Sequence, residues 1–242
     1  MKNWTSINRK ALAEYEKKYI ESFSRKVCLA PASNCSGRYV SAHTISEERY
    51  LDPISEGRHV YTYSFDPWRN DSSIYFSKTG IGEATCFYGF CSKHDNELFS
   101  AIDNDLYVSS PKQNFLFAYR GVVKEFYASE SQLLSRLTPE EQLKINPSID
   151  INQARLFYDL SSIGFNTRHS DLKELKDSFD QILLAEVYSK VNHYCIRFNK
   201  IPSLLTSSAF APWYDFDGHK LQDFENLDRR LRSLIVNVIP VE

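Results

Sequence analysis

Apolar side chains recur every three to four residues from about Asn8 to Arg25. Leu12, Tyr15, Tyr19, Ile20 and Phe23 alternate there with Lys and Glu, a spacing that predicts an amphipathic helix. From Val27 to Ile81 the helical period disappears. Leu29 to Asn34 reads as a tight loop, His59-Val60-Tyr61-Thr62-Tyr63 alternates like a strand, Asp66 to Ser73 reads as a loop, and Lys78 to Gly82 as a turn. A short helix is expected from Cys91 to about Ile102, and a longer one carries Phe115, Tyr119, Val122, Val123 and Phe126. Thr138-Pro139-Glu140-Glu141 supplies an N-cap, a first-turn proline and a capping box for a third. Asp171 to Val191 repeats the pattern, with Leu172, Leu175, Phe179, Ile182 and Leu183 on one face. Strands are expected at Tyr194–Phe198 and Leu234–Ile239, around a loop from Pro212 to Gly218.

The pattern predicts an α+β fold in three parts. Residues 1–110 join the first helix to a strand-rich region, 111–192 are helical, and 193–242 are β-rich. The apolar, β-branched run Leu234 to Val241 ends the sequence, and an unpaired strand of that kind is normally continued or covered. The expectation is a fragment, or a protein partner that pairs with this strand.

Composition narrows the class. With 42% apolar and 25% charged residues in 242, the chain can bury a sizeable core. No stretch approaches the roughly 20 apolar residues of a membrane span, and Met1 to Ser6 lacks the apolar core of a signal peptide. No membrane association and a cytoplasmic location are expected. A net charge of −2 argues against a uniformly basic nucleic-acid sleeve but leaves room for a local patch. Fifteen tyrosines and sixteen phenylalanines supply a core and strand surfaces, or a stacking platform for bases.

The five cysteines are odd in number and irregularly spaced, which points to reduced thiols used for metal binding or burial. Cys28 and Cys35 bracket a Pro/Asn loop, and Cys91 with His94 has the short spacing of a zinc knuckle behind a Gly89-Phe90 lead-in. These four are the expected ligands of one structural Zn2+. Cys86, in the apolar run Thr85 to Tyr88, reads as a buried structural thiol or a replacement ligand.

In order, Cys28, Cys35, Ser41-Ala42-His43-Thr44-Ile45 and Phe90-Cys91-Ser92-Lys93-His94-Asp95 resemble the treble-clef layout of HNH nucleases, over roughly residues 27 to 103. They are also similar to bacterial proteins with a Ser-His-x-Ile stretch and a downstream Cys-x2-His-Asp stretch, some of them from phage-defence or toxin loci. The resemblance implies a zinc-stapled ββα unit, DNA or RNA as partner, and His43 as general base. It also implies a second divalent metal such as Mg2+, with Asp95 or Glu97 as catalytic carboxylates. It departs from the family at Ala42, where a His or Asp precedes the base, and at Phe99, near a late helical histidine. The alternative is a non-catalytic zinc-stabilised module that binds protein, with His43 a ligand or a hairpin residue. His59 reads as a solvated or capping residue, and Arg229, Arg230 and Arg232 as the solvated face of a short helix, or as a basic segment for a phosphate backbone.

Overall fold

The computed structural model describes residues 7–31, 34–65, 74–223, 226 and 230–240. The predicted loop Asp66–Ser73, part of the loop from Leu29 to Asn34 and part of the arginine-rich segment lie outside them.

Helix α1 (Arg9–Phe23) starts where Asn8 caps it, its side-chain oxygen accepting from the N–H groups of Lys10 and Ala11. Strand β1 (Tyr39–His43) leads to a π-turn at Glu47–Leu51 and a 3-10 turn at Asp52–Ile54. Strands β2 (His59–Phe65) and β3 (Ile74–Gly80) form an antiparallel hairpin. Strand β4 (Cys86–Cys91) then returns to pair antiparallel with β1, from Tyr39 opposite Cys91 to His43 opposite Cys86, with a bulge between Val40 and Ala42. Helix α2 (Ser92–Asp103) leaves β4 directly.

Helix α3 (Pro111–Ser135) is the centre of the molecule, and it is apolar on nearly every side because neighbours cover nearly every side. Phe115, Tyr119, Val122 and Val123 are fully buried in it, packed with Phe90 of β4 and Phe99 of α2. Two of its buried polar residues are tied down. Gln113 donates to the carbonyls of Leu106 and Ala101, and Glu125 accepts from Lys124, Arg168 and Ser208. Helix α4 (Pro139–Ile145) begins with the expected capping box, and the Asn8 N–H bonds the Ile145 carbonyl at its end.

Helix α5 (Ile151–Leu184) corrects the sequence reading at both ends. It begins at Ile151, after the Asp150 cap and twenty residues before Asp171, and stops short of Val191, with a 3-10 turn at Tyr188–Lys190. Its first half shows outward apolar residues, Leu156, Phe157, Leu160 and Ile163, which blur the one-sided pattern that marks the second half. The expected strand at Tyr194–Phe198 is absent. That segment carries no regular structure and is exposed, Tyr194 at 96%, and β6 (Leu234–Val238) pairs instead with β5 (Thr206–Phe210). The β5–β6 pair lies across α3 at Gly121, where an added Cβ would stand 3.3 Å from Ser207 Oγ. The fold is therefore mixed α+β, with two-stranded antiparallel sheets around a helical centre.

Candidate metal centre

The stretch from Val27 to Leu29 runs alongside β4, with the Val27 and Leu29 N–H groups donating to the carbonyls of Tyr88 and Gly89. This fixes Cys28 beside the end of the β1–β4 pair at which Cys91 caps α2. Gly89 is required here: a Cβ on it would lie 2.2 Å from the Phe87 ring, which folds over it. His94 sits one turn into α2, buried, and turns its Nδ1 toward three sulfurs. Cys28 Sγ is 3.2 Å away, Cys91 Sγ 3.4 Å and Cys35 Sγ 3.7 Å.

All four ligand atoms lie within 4.8 Å of one another. A tetrahedral zinc ion with its usual bond lengths places its ligands about 3.3–3.8 Å apart. Three soft sulfurs and one imidazole nitrogen thus fit a structural metal ion such as zinc, and all four residues named from the sequence come together. Burial opposes ionisation of the Cys91 thiol, but N–H groups of His94 and Ser36 aimed at its sulfur hold it down to about 6. Burial pushes Cys28 up to about 11.

His43 stands at the opposite end of the β1–β4 pair. Its Nε2 is 3.5 Å from Glu47 Oε2, and Cys86 Sγ lies 3.5 Å from both ring nitrogens. Burial lowers the imidazole below its usual range, against the pull of Glu47, and so favours the neutral form. Cys86 is half-buried against His43 rather than lost in the core, and burial raises its thiol. Glu47 also holds Arg58 at 2.5 Å.

The two carboxylates expected to serve His43 separate on α2. Residues two apart on a helix face different ways, so Asp95 turns inward while Glu97 is exposed. Neither joins His43 in a group of three ligand atoms within 4.8 Å among the described residues. Asp95 Oδ1 is buried without a hydrogen-bond partner. Ala42 and Phe99, at 2% and 0% exposure, are core residues.

Beside Phe99 lies a residue that the sequence reading passed over. The Arg120 guanidinium sits 4.0 Å over the Phe99 ring and is paired with Asp103, its Nη1 2.9 Å from Oδ1. Its signal was a lone arginine inside the apolar run of α3. A further group, Asp215, Asp217 and His219, is exposed and closes a turn, Asp215 accepting from the N–H groups of Asp217 and His219.

Comparison with protein-family models, curated proteins and solved structures gives no match. No helix among the described residues is long and apolar enough to cross a membrane.

Proposed function

We propose that this chain is a zinc-stapled, HNH-like phosphodiesterase that acts on DNA or RNA. In this reading the Cys28–Cys35–Cys91–His94 centre is a zinc staple of treble-clef type, joining the β1–β4 pair to α2. One observation carries the catalytic part: His43, which burial keeps neutral, stands beside Glu47 at the far end of that same pair. A neutral imidazole takes a proton from water as the oxygen attacks phosphorus, the P–O bond to the leaving strand breaks with its electron pair going to an oxygen that solvent protonates, and Glu47 stabilises the imidazolium that results. A divalent ion such as Mg2+ supplies polarisation of the phosphoryl oxygen when bound. Of the two α2 carboxylates only the inward Asp95, with its orphaned Oδ1, has an oxygen left over for an ion, and it stands outside the His43–Glu47 group.

A second reading has its own support. Ala42 and Phe99 occupy, as core residues, the positions where the resemblance implies further metal ligands. That favours a non-catalytic module folded by zinc. The two readings separate in a cleavage assay on supercoiled DNA and on single-stranded RNA with Mg2+ or Mn2+. The nuclease reading expects cleavage by the wild type and a loss of about 100-fold or more in His43→Ala at unchanged zinc content. Equal or absent cleavage by both proteins, with every metal, leaves the non-catalytic module.

A further inference from the structure

The β2–β3 hairpin stands out from the body with two unlike faces. In its register Thr62 opposes Ser77, and Thr62, Ser77 and Thr79 join hydroxyls on the inner face. The outer face pairs Tyr61 with Lys78 and Tyr63 with Phe76. Its three rings are exposed at 67%, 70% and 64%, with Tyr63 and Phe76 edge to face at 5.1 Å. Three neighbouring exposed aromatics on one two-stranded surface exceed what scattered surface hydrophobics explain.

The charge of the two strands suits an anionic occupant. Residues 59–65 and 74–80 contain no carboxylate, and their one lysine lies within the aromatic face. Tyr61 and Tyr63 are two residues apart on one strand, about 6.6–6.8 Å. That is about twice the ~3.4 Å rise of stacked bases, so a base fits between rings set at that interval. The root of the hairpin is joined to the His43 cluster: Arg58 pairs with Glu47, and its carbonyl accepts from the Ile81 N–H.

We propose that the outer face of the β2–β3 hairpin is a stacking platform for single-stranded nucleic acid, with Tyr61, Tyr63 and Phe76 taking bases and Lys78 a phosphate. It rests on the reading of nucleic acid as the substrate and names the form of it that is held. Rings of this kind bind without base-specific hydrogen bonds and lose strength as salt rises.

The test is fluorescence anisotropy of labelled dT15 and U15 on the full chain at low and moderate salt. Tyr63→Ala and Phe76→Ala each weaken binding about tenfold, Tyr63→Phe keeps it, and Lys78→Ala lowers the salt slope. Zinc content and the unfolding midpoint of each variant show that the fold is intact. Cleavage is read in a separate assay, so the platform and the nuclease reading fail separately. Binding without cleavage leaves the platform standing and ends the nuclease reading. Equal affinity of the wild type and a Tyr61/Tyr63/Phe76 triple-alanine variant, or no binding at low salt, overturns the platform. So does a face that takes a protein while rejecting both oligonucleotides.

Discussion

His94 Nδ1 lies 3.2 Å from Cys28 Sγ, although 66 positions separate the two residues. A contact of that reach closes a long loop, and a metal that makes it permanent stabilises the folded state by removing the entropy of the open chain. Purified protein is expected to hold about one zinc per chain, measured by elemental analysis. Cys91→Ser loses that metal and unfolds about 10–20 °C earlier. A variant that keeps the wild-type midpoint in strong chelator would count against the centre.

Gly89 makes a second prediction. Its missing Cβ lets the Phe87 ring close over the strand and reach Phe90 and Tyr127. Gly89→Ala displaces that ring and costs about 1–3 kcal/mol. Because the Gly89 carbonyl anchors the Cys28 segment, zinc affinity falls as well. Urea unfolding and a competitive zinc chelator read the two effects separately.

The Arg120–Asp103 pair is buried on the arginine side and partly open on the aspartate side. Removing one partner strands the other, so Arg120→Met or Asp103→Leu alone costs about 2–4 kcal/mol. The double replacement loses less than the sum of the two. A double-mutant cycle in urea measures the coupling, and additive losses would show that the pair contributes nothing as a pair.

The pH dependence of stability follows from His43. Burial holds its folded value below the usual range, so the unfolded chain binds the proton more readily. This contribution is present in full above the unfolded value of about 6.5, and it is lost as the pH falls through the folded value. Between pH 7 and pH 5 the wild type is therefore expected to lose more stability than His43→Gln. Parallel curves for the two proteins would place His43 in a more open setting.

Features that signal through local chemistry were legible in the sequence. The Thr138–Glu141 box and the two pairs of soft ligands each announce themselves within a few residues. What depended on distant partners was not. Thr206–Phe210 is a small, polar strand whose existence depends on Leu234–Val238, whereas Tyr194–Phe198 has the right alternation and no strand beside it. Arg120 gains its meaning only from Asp103 and the Phe99 ring, which no local pattern places against it. The position of Glu47 beside His43 depends on a π-turn, which has no clear sequence signature.

His59 and Gly80 face each other across the first rung of the β2–β3 ladder, so the chain leaves the body and comes back at nearly one point. An excursion of that shape is a cassette. From Tyr61 outward it can be shortened, lengthened or exchanged for another hairpin while Cys28, Cys35, Cys91 and His94 keep their places. Recognition can then diversify at this position by insertion and replacement, without reopening the problem of how the rest of the chain folds.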